Sequence, residues 1–273
     1  MLRIKTKVWS HTSSKDREKH FISDVLASEP KEINSFQHLV ENIAEISYRN
    51  PEHVLFYRGQ DRDYQKTLRN VGLVSSFYPS IYRNPGKALT VVEVIKRFKN
   101  LEGFSIRLIE KFSEEQIDGH EKLSKFPELS WAILQHYQVC DTPLLDATHS
   151  LRVAASFALN GNKSDGYLYV FGFPHPNGSI TYSVDEELLN IRLLSICPPQ
   201  ARRPYFQEGF LVGTFPSHRL AKHPSLDIGR RLIAKFRLKK QKFWDTHFHA
   251  IPNGALYPND EMEKICEKLK ILK

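Results

Sequence analysis

An α+β fold is expected, with helices of the N-terminal half packed on a central mixed or antiparallel sheet. Two observations predict it. Apolar residues at helical spacing recur through the first half, at 33–48, 90–98, 104–112 and 127–134. Strand-like runs rich in aromatic and β-branched residues then cluster in the middle, at 166–172 and 210–212. Helices followed by a run of strands, with no internal repeat, is the order of an α+β chain.

Residues 1–30 read as a basic extension carrying Arg3, Lys5, Lys7, Lys15, Arg17 and Lys19, solvated rather than core. A single domain is expected over 31–273. Phe36, Leu39, Val40, Ile43 and Ile46 line one face of a first helix, with Ser35 as its cap and Asn50-Pro51 as its stop. Val54 to Tyr57 is a buried strand delivering Arg58 and Gly59 at its end. Gln60 to Asp63 and Tyr78-Pro79-Ser80 are turns. Thr90, with Glu93 three residues on, has capping-box spacing for the next helix. Pro127 opens a helix that runs into Gln135 and His136. Leu144 and Leu145 form a short strand closed by Asp146, and Ser150 caps a helix presenting Val153, Ala154, Phe157 and Ala158. Further on, Ile180–Ser183 and 191–197 read as strands and 185–190 as a helical turn. The alternation of basic and apolar residues from Leu232 to Leu238 reads as an edge strand. Stretches 239–250 and 260–269 read as helices.

The net charge of +8 and pI of about 9.3 allow attraction to nucleic acid or other anions without requiring it. The lysines are spread along the chain. Three cysteines, Cys140, Cys197 and Cys266, are far apart and odd in number, which shows no zinc spacing or disulfide framework and fits a reducing cytoplasm. No apolar run reaches the ~18 residues of a membrane span, and no signal-peptide core is seen. His247-x-His249, read on a helix, would not share a face and makes a poor metal pair. No metal is expected.

Several residues could carry chemistry. Arg58, at a strand end before a glycine, suits bidentate binding of a phosphate or carboxylate; it reads equally as a buried arginine paired with Asp146. Gly59 suits an unusual backbone dihedral or close backbone approach to a ligand. His136 could act as a general base if hydrogen-bonded to a carboxylate, or could satisfy helix-end carbonyls. Glu208, before Phe210-Leu211-Val212, reads from its place in the chain as a solvated loop charge.

The segments Leu55-Phe-Tyr-Arg-Gly-Gln60, Tyr78-Pro-Ser-Ile-Tyr-Arg83, Gln135-His-Tyr137 and Leu144-Leu-Asp146 with Thr148 resemble the motifs of the FRG domain family, named for Phe/Tyr-Arg-Gly. Ala154 to Ala158 resembles the small-residue helix that follows them. The chain departs from the family where Gln138 replaces a usual glycine, Thr142-Pro143 replaces Thr-Arg, and Leu151 replaces a proline. Tyr57-Arg58-Gly59 at a strand end also resembles the first motif of arginine-type ADP-ribosyltransferases, which implies a split sheet and NAD as substrate. The resemblance puts Arg58, with Tyr57 and Gly59, on the dinucleotide's phosphate and ribose. It puts Thr148 and Ser150 at the NAD pocket, with Gln135 and His136 in reach and Asp146 in support. It puts Glu208 or Gln207 near the nicotinamide ribose, where a fixed carboxylate stabilises the cationic sugar. The FRG pattern is Gln-x-Gly there, which matches Gln207.

The expected function is therefore ADP-ribose transfer or NAD hydrolysis, as in a toxin or anti-phage effector. The alternative is a non-catalytic module that binds a nucleotide or nucleic acid. The expected partners are NAD or a related nucleotide and a macromolecular acceptor, with no membrane.

Overall fold

The computed structural model describes residues 6–11, 18–69, 71–84, 89–160, 164–216 and 223–271. Arg3, Lys5, Lys15 and Arg17 of the expected basic extension lie outside these residues.

The chain starts with the hairpin β1 (Lys7–Ser10) and β2 (Glu18–Phe21), then α1 (Ile22–Ala27) and β3 (Lys31–Ile33). Val8, Trp9, Ile22, Val25 and Leu26 are buried, so these residues are core and not a solvated extension. Of the basic residues that suggested an extension, Lys7 is exposed at the start of β1, next to buried Val8 and Trp9. α2 (Phe36–Arg49) follows, its first turn capped by Ser35, which accepts from the His38 N–H. β4 (Val54–Gln60) contains Arg58 and Gly59 within the strand instead of at its end. The hairpin β5 (Gln65–Leu68) and β6 (Gly72–Ser75) has too few apolar residues for its pattern to be read in advance.

α3 (Val91–Glu114) is one helix where two were expected. Val94, Phe98, Leu101, Phe104, Leu108 and Phe112 make an unbroken buried stripe. Burying each contributes ~1.5–3 kcal/mol, more than the ~1 kcal/mol that Gly103 costs in mid-helix. Thr90 and Glu93 form the capping box that their spacing predicts. α4 (His120–Lys125), α5 (Pro127–His136), β7 (Leu144–Thr148) and α6 (Leu151–Leu159) lead into β8 (Gly166–Phe173) and β9 (Ile180–Ser183).

β10 (Leu188–Arg192) and α7 (Leu193–Ile196) reverse the expected turn-then-strand order. A left-handed residue, Glu187 (φ +50), ends the turn early, so Leu188 already pairs with the next strand. α8 (Arg203–Phe206), β11 (Gly209–Thr214) and β12 (Leu232–Leu238) follow. Residues 239–250 form no helix: Asp245 accepts from the His247 and Phe248 N–H groups and holds the backbone in turns instead. α9 (Asn253–Leu256) and α10 (Glu261–Lys270), capped by Asp260, close the chain.

The chain divides into two compact units, each built from three separated segments. Unit one comprises 1–77, 147–175 and 227–253. In it β3, β12, β8 and β4 are neighbours in that order, and Thr148 at the end of β7 pairs with Tyr57 of β4. The sheet is mixed: β12 runs parallel to β3 and antiparallel to β8. β12 is thus an interior strand, not the edge its basic alternation suggested. The alternation misled because Lys235, 2% exposed, hydrogen-bonds the Leu26 carbonyl and the Ser75 hydroxyl inside the unit.

Unit two comprises 78–146, 176–226 and 254–273. Its strands run β7, β11, β10, β9, the last two pairs antiparallel. α3, α4, α5 and α10 share a core that includes Phe98, Phe104, Leu134, Tyr137 and Ile265. Among the described residues, no helix is long and apolar enough to cross a membrane.

Candidate functional site

The predicted site residues fall into two sets, one in each unit. In unit one, side chains of β4 alternate between two faces. Gly59 faces α6: a Cβ there would lie 1.9 Å from the Ala154 carbonyl oxygen and 2.7 Å from the Ala158 nitrogen. Gly166 of β8 meets the same helix, where a Cβ would lie 2.2 Å from the Ala158 carbonyl oxygen. The glycine of Tyr57-Arg58-Gly59 and the alanines of α6 are thus one packing device, in which backbone approaches backbone. Close packing on α6 by itself requires a glycine at position 59. Tyr57 shares that face, and burial pushes its phenol up to about 12. Thr148 accepts from the Ser150 N–H at 3.0 Å, and Ser150 accepts from the Val153 N–H as the helix cap. Both hydroxyls therefore shape the turn into α6.

Arg58 points to the other face. The register sets Lys235, Tyr169 and Arg58 side by side on β12, β8 and β4. The Tyr169 hydroxyl donates to Asp63 at 2.9 Å, Ser75 donates to the same carboxylate at 2.9 Å, and Lys235 lies 3.7 Å from it. Burial and then Asp63 raise the Tyr169 pKa, while Arg58 opposes them. Burial lowers the Lys235 pKa against the pull of Asp63. Arg58 is half-buried in this row.

In unit two, α5 ends in a Schellman motif: the Val139 N–H bonds the Leu134 carbonyl, and the Gln138 N–H bonds that of Gln135. Gln138 takes the left-handed conformation (φ +56) that the family's usual glycine would take without strain. This end holds Gln135 and His136 against β7. Gln135 Nε2 donates to Asp146 Oδ2 at 2.7 Å, and the Thr142 hydroxyl donates to Gln135 Oε1. His136 Nδ1 lies 3.3 Å from Asp146 Oδ1. An ionised carboxylate only accepts, so Nδ1 donates to Asp146, and in the neutral ring that leaves the lone pair on Nε2.

The His136 side chain is 2% exposed and that of Asp146 is 39% exposed. His136 Nε2 is buried, with no hydrogen-bond partner among the described residues. Gly209 passes beside this edge of the ring: a Cβ there would sit 3.4 Å from His136 Cε1 and 2.7 Å from Leu193 Cδ1.

Gln207 and Glu208 separate cleanly. Gln207 is buried and donates from Nε2 to the Leu256 carbonyl at 2.6 Å. Glu208 is exposed, in a left-handed conformation (φ +45) at the end of α8. The buried position has an amide and the carboxylate faces solvent.

One functional candidate escaped sequence reading. Arg203, 5% exposed, lies 5.5 Å from the Tyr137 ring and 4.7 Å from the Tyr257 ring, and bonds Glu263 at 3.2 Å. Asp260 holds the group together by accepting from the Tyr137 hydroxyl and from the Arg202, Arg203 and Glu263 N–H groups. Burial, with help from Asp146, raises the Tyr257 pKa against Arg203. The spacing of Asp260 and Glu263 signals a helix cap, but nothing local in sequence links it to Arg203. The segment containing α7 and α8 also forms an apolar hollow of about 350 Å³, lined by Leu194, Cys197, Pro198, Pro204, Tyr205 and Phe206 among others.

An oriented imidazole–carboxylate pair and a strand motif locked to a small-residue helix thus define the class, an α+β chain with two motif sets in two units. Residues 53–166 match the family model of the FRG domain, and the chain carries an FRG domain across them. The match contains the motifs at 55–60, 78–83, 135–137 and 144–146. Comparison with curated proteins and with solved structures gives no match.

Proposed function

We propose that the chain cleaves NAD, passing ADP-ribose to water or to an acceptor hydroxyl, with His136 of unit two as the general base. The observation that carries this reading is the geometry of His136: its Nδ1 faces Asp146, Gln135 holds Asp146, and Nε2 has no hydrogen-bond partner among the described residues. In the step, the bond from ribose C1′ to the nicotinamide nitrogen breaks, and nicotinamide leaves neutral with the bonding pair. The acceptor oxygen bonds C1′ and its proton passes to Nε2. Asp146 then stabilises the imidazolium. NAD as substrate rests on the resemblance to arginine-type ADP-ribosyltransferases, and the aromatic walls of the α7–α8 hollow suit a planar ring.

A second reading, nucleotide binding without chemistry, is favoured by Gln207, an amide where that resemblance asks for a carboxylate. Release of nicotinamide from NAD separates the two. Under the first reading His136→Ala and Asp146→Asn each lower turnover by on the order of 10²-fold or more, whereas exposed Glu208→Gln leaves it within about twofold. Under the second, no nicotinamide appears but NAD raises the melting temperature. Turnover that survives His136→Ala would sink the first reading, and the absence of both turnover and stabilisation would sink both.

A further inference from the structure

The charge of the chain is divided unevenly. Unit one carries 21 lysines and arginines against 13 aspartates and glutamates, while unit two carries 18 of each, so the whole excess of +8 belongs to unit one. Within unit one, the loop after β12, Lys239-Lys-Gln-Lys-Phe-Trp-Asp-Thr-His-Phe-His249, joins three lysines, two histidines and three aromatic residues to a single acid.

The loop is a braced element. Phe243 is fully buried, its carbonyl accepts from the Phe36 N–H, and Asp245 bonds the His247 and Phe248 N–H groups at 2.8 Å. Arg152 donates to the His249 carbonyl at 2.7 Å. On this frame Trp244 stacks on Phe36 (5.3 Å, 26°), and Phe248, 39% exposed, lies 5.1 Å from the same ring. Lys239 is engaged by Glu32 and Asp165. Lys240 and Lys242 are exposed and make no ion pair among the described residues.

We propose that this loop docks single-stranded nucleic acid, with Lys240 and Lys242 on phosphates and Phe248, beside Trp244, as the surface on which a base stacks. Unstacked bases need flat, pre-positioned aromatic faces flanked by cations, and the loop supplies both within nine residues. The excess charge of the unit adds long-range attraction for a polyanion. A membrane surface is the weaker match, because the rings sit on a turn pinned by hydrogen bonds and not along an amphipathic helix that could enter lipid.

The test uses the full chain and a fluorescent oligo-dT of about 20 nucleotides, with anisotropy read across a salt series. Binding is expected at low salt and to weaken as salt rises. Lys240→Ala with Lys242→Ala reduces the log–log salt slope by about 1.4, following ~0.7 per phosphate contact on a single strand. Phe248→Ala weakens binding roughly 5- to 100-fold with little change in slope. The matched pair in unit two, Lys122→Ala with Lys125→Ala, leaves binding within about twofold. Thermal melts of each variant establish that it is folded. The proposal fails if no binding occurs at low salt, if the unit-two pair weakens binding as much as the loop pair, or if the protein binds phosphatidylserine vesicles through this loop and ignores the oligonucleotide.

Discussion

Unit one and unit two lean on backbone freedom differently, although unit one also has a left-handed Lys242 (φ +65) and unit two a close-approach Gly213, whose Cβ position lies 2.7 Å from the Pro143 carbonyl oxygen. Unit one places glycine where two elements must touch: Gly59 and Gly166 let β4 and β8 meet α6 closer than any side chain allows. Unit two places glutamine or glutamate where the chain must turn left-handed, at Gln116, Gln138, Glu187 and Glu208. The first arrangement favours rigidity. The second costs roughly 1–2 kcal/mol per residue, and at Gln138 and Glu208 it sits just past the ends of α5 and α8, beside His136 and Gln207. A motif glycine in this chain is therefore informative only when its neighbours are known.

The largest expected effect tests the first half of that contrast. Gly59→Ala forces a Cβ into the backbone of α6, which cannot yield as a side chain would, and should cost on the order of 3 kcal/mol or more. Gly209→Ala in unit two meets the flexible end of Leu193 and the His136 ring, and should cost about 1 kcal/mol while lowering NAD turnover. Urea melts of the two variants give the comparison, and equal losses would break it. A middle-sized effect concerns pH. Burial raises the Tyr57 phenol from its ordinary 10.0 to about 12. Its folded pKa is the higher one, so its contribution is intact below pH 10 and is lost as pH rises through 12. That loss is about 2–3 kcal/mol, at ~1.4 kcal/mol per pH unit. Tyr57→Phe should flatten the alkaline limb of the stability curve, and an unchanged limb would show that the phenol does not govern it. The smallest effect tests the second half of the contrast. Gln138→Gly relieves a left-handed strain and should stabilise by about 1 kcal/mol, read as a rise of roughly 2–4 °C in Tm. A fall would mean that the Gln138 side chain earns its place by contacts.

Much of the architecture was legible because local signals agreed with it. The Thr90–Glu93 capping box, the Ser35 and Ser150 caps and the aromatic strand β8 are all as their residue spacing predicts. The failures share a cause: residues whose partners are distant in sequence. Lys235 looks like an edge-strand lysine until Ser75 and Leu26 are placed around it. The 239–250 segment has helical composition, but Asp245 captures the backbone before a helix can. The site was half visible. The pairing of His136 with a carboxylate was foreseen as a condition for base chemistry, and Asp146, ten residues on, meets it. Arg203 was not foreseen, because Tyr137 and Tyr257 flank it from segments more than fifty residues away on either side.

The family signature is also narrower than what it needs in order to fold. It ends at residue 166, where β8 begins, yet β8 is the partner of β4 along its whole length, from Val54 opposite Phe173 to Gln60 opposite Tyr167. An excised 53–166 fragment would keep the arginine motif and the helix behind it but leave seven residues of strand without their ladder. Such a piece should aggregate through that bare edge, so boundaries for expressing FRG-bearing chains of this kind belong beyond the stretch by which they are recognised.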